Sequence, residues 1–147
     1  MKRKDATHKI LEAKKAKNLT WNEIAAAGEH SESWIVTALL GQATMSRSEA
    51  DKIGKLLDLE EEVINSLTEM PYKGDVIEMP PTDPLLYRFY EALLVYGPSF
   101  KELIQEKFGE GIMSAIDFEF DIQRKEDPNG DRVIVTMNGK FLPTKKW

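Results

Sequence analysis

The sequence contains no cysteine and only two histidines, His8 and His30, in its 147 residues. Without cysteine the chain forms no disulfide and has no thiolate to act as a nucleophile or to bind zinc or an iron–sulfur cluster. Two histidines in different segments are too few for most zinc sites, and both are expected at the surface. These absences favour a functional site made from charged and hydroxyl side chains.

Long apolar stretches and an excess of basic residues are also missing. The longest uncharged stretch, residues 33–46, is shorter than the ~20 residues that a membrane helix needs, and it contains polar residues. The basic residues at positions 2–4 are not followed by the apolar region of a secretory signal. With 25 acidic and 20 basic residues the net charge is −5, which argues against broad binding to a phosphate backbone. We therefore expect a cytoplasmic protein with no membrane segment and no nucleic-acid partner.

The chain is expected to divide into two domains. A segment with several prolines, residues 74–83, separates residues 1–73 from residues 84–147. Proline breaks helices and favours extended chain, so this segment is predicted to be a linker. The composition on its two sides differs, and together they predict an α+β fold class.

The first domain is predicted to be a bundle of short helices that resembles a helix-turn-helix fold. Capping boxes at 20–23 and 46–49 mark the starts of two helices. The third helix, residues 32–40, has one acidic residue and no basic one, and residues 1–70 contain 10 bases and 12 acids. DNA-binding domains usually have the opposite balance, so a bundle that packs against other protein is favoured. The predicted helices are 5–17, 24–27, 32–40, 50–57 and 60–67.

The second domain is predicted to contain two helices and a β-hairpin. Asp83 and Pro84 mark the start of a helix that ends at Gly97, and Ser99 begins a second helix that stops before Gly109. The two predicted strands are 116–122, where apolar and acidic residues alternate, and 132–137, which is rich in β-branched residues. A lone hairpin is marginally stable in water, so a partner chain is expected to complete the sheet.

The helix at residues 84–96 is the most informative segment. Its only charged residues are Arg88 and Glu91, and apolar or aromatic side chains surround it on nearly all sides. Such a helix is normally buried, and residues three apart adjoin on one face. One interpretation is a buried structural ion pair. The other is an anion site, in which the arginine provides a forked donor and the glutamate orients it or handles a proton.

Ser114 is a second candidate. It follows a glycine-containing turn, residues 109–111, that superficially resembles a phosphate-binding loop. The turn follows a helix instead of a strand and lacks the third glycine, so a dinucleotide-binding motif is excluded. Because neither histidine lies near Ser114 in the sequence, a capping, turn or hydrogen-bonding role is favoured over a nucleophilic one.

Six short blocks occur in order through the second half of the chain. They are PPTDP (80–84), YRFYE (87–91), VYG (95–97), EKFGEGI (106–112), SAIDF (114–118) and GKFLP (139–143). Together they resemble the cyanase family, also called cyanate hydratase or cyanate lyase. The resemblance covers almost all of residues 70–147 and is weaker across the helical half.

The resemblance implies an enzyme that converts the small anions cyanate and bicarbonate to carbon dioxide and carbamate. Carbamate then gives ammonia and a second carbon dioxide. It implies no metal and no organic cofactor, with bicarbonate as the co-substrate, and it assigns the catalytic roles to Arg88, Glu91 and Ser114. It further implies a homodecamer built from dimers, with interlocked C-terminal domains and active sites between subunits.

Two other classes of function stay open at this point. One is a helix-turn-helix transcriptional regulator with a C-terminal oligomerisation or effector domain. The other is a non-catalytic assembly module in which Arg88 and Glu91 form a structural pair.

Overall fold

The computed structural model describes residues 1–74 and 77–145. The chain divides at residues 75 and 76 into two compact units, which we call the helical unit (1–74) and the mixed unit (77–145). The elements in chain order are α1 (Arg3–Ala16), α2 (Trp21–Gly28), α3 (Glu32–Leu39), α4 (Arg47–Leu57), α5 (Glu61–Thr68), α6 (Pro84–Phe108), β1 (Gly111–Lys125) and β2 (Arg132–Pro143). The division lies inside the predicted linker, whose residues 75 and 76 lie outside the described residues, as do residues 146 and 147 of the C-terminal tail.

The helices of the helical unit begin where side chains satisfy free backbone N–H groups. The Thr20 hydroxyl accepts a hydrogen bond from the Glu23 amide at 3.2 Å, and the Glu23 carboxylate accepts one from the Thr20 amide at 2.7 Å. Ser46 and Glu49 form the same reciprocal pair at the start of α4. Both predicted capping boxes are therefore confirmed, and the five predicted helices of this half are all present.

The helical unit has a closed hydrophobic core. Its largest fully buried side chains are Ile10, Ile24, Ile35, Leu39, Met45, Ile53, Leu57, Val63 and Leu67. Glycines let the helices approach closely, since a Cβ on Gly54 would lie 2.4 Å from Cδ1 of Ile64. The apolar face predicted on α3 lies in this core through Ile35 and Leu39.

Arg3 joins three parts of the helical unit. Its guanidinium donates hydrogen bonds to the carbonyls of Ser66, Ala38 (2.8 Å) and Ala43 (3.2 Å). Burial of the guanidinium lowers the pKa of Arg3, and the charge of Glu69 acts in the opposite direction. In the sequence Arg3 is one of three consecutive basic residues, and that pattern does not predict its contacts with the ends of α3 and α5.

The mixed unit begins its long helix as predicted. Asp83 accepts hydrogen bonds from the amides of Leu85 and Leu86 at 2.9 Å each, and Pro84 occupies the first turn. The prediction of two helices, broken at Gly97 and Pro98, is wrong because α6 continues for 25 residues through Pro98.

A physical reason for this continuity is found in the pair Gly97-Pro98 itself. Proline has a helical φ, but inside a helix it removes the hydrogen bond that its N–H would have made and its ring crowds the carbonyl four residues earlier. The residue before a proline is kept out of the helical region partly by its Cβ, and Gly97 has none. The glycine that was interpreted as a helix end thus makes the proline tolerable.

The predicted hairpin is confirmed, with longer strands than expected. β1 and β2 pair antiparallel from Gly111↔Pro143 to Lys125↔Arg132. The turn is fixed by Asp127, whose side chain accepts from the Asn129 amide at 2.9 Å. Alternation of apolar residues marked only the middle of β1, and β-branched residues marked only the first half of β2, because backbone pairing in the rest of each strand does not depend on those patterns. The described residues contain this one sheet, and the predicted α+β class is confirmed.

The mixed unit has no hydrophobic core of its own in the described residues. α6 has no buried residue, and Pro81 is the one buried apolar residue between 77 and 145. Leu94 on α6 is 59% exposed and Ile116 on β1 is 80% exposed. The prediction that helix 84–96 is buried is therefore wrong for the single chain, since a two-stranded hairpin has too little surface to cover an all-apolar helix.

None of the helices in residues 1–74 and 77–145 combines the length and the apolar character that crossing a membrane requires.

Candidate active site

Arg88 and Glu91 form an ion pair on α6. Arg88 Nη1 donates a hydrogen bond to Glu91 Oε2 at 2.6 Å, as the spacing of three residues predicts. In the single chain the two side chains are 70% and 46% exposed, so the pair is not buried there, as the interpretation of a buried structural pair would require. The apolar side chains of α6 that were expected to enclose the pair are also exposed, because the two-stranded hairpin has too little surface to cover them.

The guanidinium of Arg88 has more N–H donors than its ion pair with Glu91 uses. A guanidinium has five N–H groups in a planar fork, and one of them is directed to Glu91. Arg88 makes no other hydrogen bond within the part of the chain that the structure describes. A positive fork that is held in place on one side and free on the other is suited to binding small planar anions.

Ser114 is buried, in contrast to Arg88 and Glu91. It is 7% exposed, in a unit that otherwise exposes most of its side chains. Its Oγ accepts hydrogen bonds from the amides of Ile116 at 3.1 Å and Asp117 at 2.9 Å. A hydroxyl oxygen has two lone pairs, so both are engaged and the hydroxyl proton is left to donate. The expected turn role and the expected donor role of Ser114 are thus compatible.

The two amides reach Ser114 because β1 is irregular at this point. Met113 pairs with Phe141 and Phe118 pairs with Gly139, so residues 114–117 of β1 lie opposite Lys140 alone. In this bulge the amides of residues 116 and 117 both donate to the serine oxygen. The bulge was not predicted from the sequence, although a glycine inside a strand, here Gly139, is a known sign of one.

The structure brings two of the three predicted residues together. No hydrogen bond or ion pair joins Ser114 to Arg88 or Glu91 among the described residues. α6 and the hairpin meet at Phe108 and Phe141, whose ring centroids lie 5.1 Å apart.

A shallow depression on the hairpin does not include the predicted site. It is lined by Asp117, Phe118, Glu119, Asn138 and Lys140. Asn138 donates to Glu119 Oε1 at 2.9 Å. The two carboxylates outnumber the one ammonium group, that of Lys140, so the depression is less favourable for anions than the surroundings of Arg88.

The two histidines lie at the surface, as predicted, and in separate environments. His8 pairs with Glu12 at 3.3 Å, while His30 pairs with Glu49 at 2.6 Å and stacks on Trp34 with ring centroids 4.0 Å apart. Within residues 1–74 and 77–145, no three histidine or acidic side chains cluster in a way that would hold a metal ion.

Comparison with known proteins gives matches along both units. The family model described as "Cyanate hydratase, N-terminal" matches residues 3–71, and "Cyanate lyase C-terminal domain" matches residues 78–146. A cyanate hydratase of Dechloromonas aromatica (strain RCB) is 52% identical over 147 residues, which is all of both chains. A cyanate hydratase of Synechococcus sp. (strain CC9311) is 52% identical over 141 residues, 96% of this chain and 94% of the relative.

A solved structure is similar as well. The crystal structure of cyanase from T. urticae superposes with a TM-score of 0.84 at 38% sequence identity. The match covers 94% of this chain and 96% of the other.

Proposed function

The chain belongs to the cyanate lyase family, and from this premise we propose that it decomposes cyanate with bicarbonate as the second substrate. Cyanate, bicarbonate and one proton give carbamate and carbon dioxide. Carbamate then takes up two protons and separates into ammonium and a second carbon dioxide. The observation that supports this function best is the Arg88–Glu91 pair at 2.6 Å, which leaves most of the guanidinium fork free for anions.

The first task of the site is to bring two anions together. Two unit negative charges about 4 Å apart repel by roughly 4 kcal/mol at an effective dielectric constant near 20. Arg88 offsets much of this repulsion and holds both anions in the plane of its fork. Held side by side, a bicarbonate oxygen approaches the cyanate carbon, and orientation accounts for much of the rate.

The second task is to carry the adduct to products. A C–O bond forms between bicarbonate and the cyanate carbon, and the cyanate nitrogen takes up protons. The bond between the bridging oxygen and the former bicarbonate carbon then breaks, which releases carbon dioxide and leaves carbamate. No atom is oxidised or reduced in these steps, so the reaction needs no redox cofactor. We propose that Arg88 supplies the positive charge that a metal ion would provide in other enzymes, so that neither a metal nor an organic cofactor is required.

Glu91 acts mainly on Arg88. An ionised carboxylate close to two anions adds repulsion, so its value is to orient the guanidinium through the 2.6 Å hydrogen bond. Sharing a proton with the adduct is a secondary role that remains compatible with this position.

Ser114 donates a hydrogen bond to an oxygen or nitrogen of the adduct. Its oxygen already accepts from two backbone amides, and this polarises the hydroxyl and orients its proton. A donor fixed before the reaction stabilises the charge that develops during it. A nucleophilic role is disfavoured because both lone pairs of Oγ are engaged.

The active site is completed by other subunits. The exposed apolar surfaces of α6 and the hairpin, and the absence of hydrogen bonds from Ser114 to Arg88 within the described residues, support a site shared between chains. We propose a homodecamer built from dimers in which the mixed units interlock. Covering α6 would also place the Arg88–Glu91 pair in a drier setting, where charge interactions are stronger.

Ammonia release from cyanate, measured with and without added bicarbonate, tests the reaction. We expect release that depends on bicarbonate. Release at the same rate in bicarbonate-free buffer would contradict the co-substrate role, and no release in either buffer would contradict the enzyme role.

Light scattering on the same sample tests the assembly. We expect a mass about tenfold that of the 16.8 kDa chain. A monomer that retains full activity would contradict the shared site.

A further inference from the structure

Gly139 of β2 lies opposite the end of the β1 bulge at residues 114–117. It pairs with Phe118, the first residue after the bulge, and its neighbour Lys140 is the single residue opposite 114–117. This glycine belongs to the conspicuous block GKFLP, to which the proposed reaction assigns no role.

The space above Gly139 is filled by the bulge. A Cβ built on Gly139 would lie 2.5 Å from the carbonyl oxygen of Ser114 and 2.5 Å from Cγ of Met113. Ordinary van der Waals contacts of a Cβ are 3.4–4 Å, so something must move. Gly139 is not among the glycines with a positive φ, so the requirement for glycine is one of space and not of backbone conformation.

Of the two crowded atoms, the backbone one belongs to Ser114 itself. Pushing its carbonyl oxygen away turns the peptide group that follows Ser114. That peptide leads directly to the amides of Ile116 and Asp117, whose hydrogen bonds orient the serine hydroxyl. Side-chain crowding at Gly139 is therefore transmitted to the hydroxyl group through the backbone.

We propose that Gly139 is a positioning residue for Ser114: its lack of a side chain allows the bulge to hold the serine hydroxyl in the geometry required for catalysis. The inference rests on the role proposed above for Ser114. It predicts that Gly139→Ala lowers activity through Ser114, beyond what its loss of stability alone would cause.

Gly111 offers a matched control in the same hairpin. A Cβ on Gly111 would lie 2.3 Å from the carbonyl oxygen of Leu142 and 2.5 Å from Cζ of Phe141. The crowding is as severe as at Gly139 and also involves a backbone carbonyl, but it does not involve Ser114 or the amides that hold its oxygen.

A double-mutant cycle on the full-length assembled protein tests the proposal, with kcat and KM for cyanate measured by ammonia release. A misplacement of about 1 Å costs roughly 10²-fold in rate, so Gly139→Ala should lower kcat by about that factor while KM changes less. In a Ser114→Ala background the same substitution should have almost no further effect. Gly111→Ala should lower the Tm comparably and retain kcat to within a few-fold.

Equal losses from Gly139→Ala in the two backgrounds would overturn the proposal, as would equal losses of kcat in Gly139→Ala and Gly111→Ala. A Ser114→Ala enzyme with wild-type kcat would instead overturn the role of Ser114 in the reaction. The two failures are therefore distinguishable.

A second variant covers the case in which Gly139→Ala does not fold. Met113→Ala, added to it, removes the collision with the Met113 side chain and leaves the collision with the Ser114 carbonyl. A folded double variant with low kcat supports the proposal. A double variant that regains wild-type kcat, or that still does not fold, overturns it, because Gly139 would then serve packing alone.

Discussion

The two units of the chain use their apolar residues in opposite ways. In the helical unit, side chains such as Ile35, Leu39 and Ile53 have no exposed surface, and each contributes about 1.5–3 kcal/mol by leaving water. In the mixed unit, side chains of the same kind on α6 and the hairpin remain exposed, and Pro81 is the one apolar residue buried among those described. The helical unit therefore has the core of a self-contained domain, whereas the mixed unit leaves its apolar surfaces uncovered in the single chain.

The difference separates the part of the chain that provides the buried core from the part that contains the candidate catalytic residues. The candidate catalytic residues all lie in the mixed unit, and the fully buried core lies in the helical unit. Substitutions in the mixed unit are therefore expected to remove activity or assembly while the helical unit continues to fold. Substitutions in the helical unit should change stability first.

The largest effect is expected from Arg88→Lys. Lysine keeps the positive charge and loses the planar fork, so it cannot hold two anions side by side. Loss of one such charge-stabilising donor costs roughly 10²–10³ in kcat, and we expect a loss of at least that size. Ammonia release measures the activity, and circular dichroism checks that the helices remain.

Glu91→Gln is the informative companion of this variant. Glutamine can still accept a hydrogen bond from Arg88 but carries no charge, so an active Glu91→Gln enzyme would indicate that orientation is the main contribution of residue 91. An Arg88→Lys enzyme with near wild-type kcat would show that the fork is unnecessary and would contradict the proposed mechanism.

The second effect concerns assembly. Leu94 on α6 is 59% exposed in the single chain, and a charge there would have to be buried wherever a partner covers the helix. We expect Leu94→Glu to shift the mass measured by light scattering from the oligomer towards the 16.8 kDa chain and to remove activity with it.

Leu11→Glu provides the control in the other unit. Leu11 on α1 is 40% exposed, yet its unit already has a closed core and needs no partner to bury its apolar residues. Leu11→Glu should leave the mass unchanged. The same loss of mass in both variants would break the distinction between the two units.

Local signals in the sequence predicted the helical unit well. The pairs Thr20–Glu23 and Ser46–Glu49 act within four residues of chain, so capping there is a local property of the sequence. The same holds for Asp83 at the start of α6. The capping residues were identified correctly, although the predicted ranges 24–27 and 50–57 begin three residues after the observed starts at Trp21 and Arg47.

The mixed unit was harder to predict for two physical reasons. The apolar surface of α6 predicted burial, but within the single chain no element covers that surface. The bulge at residues 114–117 depends on the opposite strand, where Gly139 makes room for it, and alternation within β1 contains no trace of that contact. The pairing of Arg88 with Glu91 was predictable because it depends only on helical spacing, whereas the setting of Ser114 was not.

The smallest effect should appear in the helical unit, at acidic pH. The hydrogen bond from His30, and after it the Ser46 amide, holds the pKa of Glu49 below its ordinary value of 4.5. A carboxyl whose pKa is lowered by folding stabilises the protein fully when the pH is above its pKa in the unfolded chain. That contribution is lost as the pH falls through its pKa in the folded protein.

The Tm of wild type should therefore exceed that of Glu49→Gln near pH 6, by the equivalent of about 0.2–1 kcal/mol for an exposed pair. The difference in Tm should close below pH 4.5. Because the helical unit has its own core, kcat at neutral pH should be the same in wild type and Glu49→Gln. A lower kcat in Glu49→Gln at a temperature where that variant is fully folded would contradict the independence of the two units.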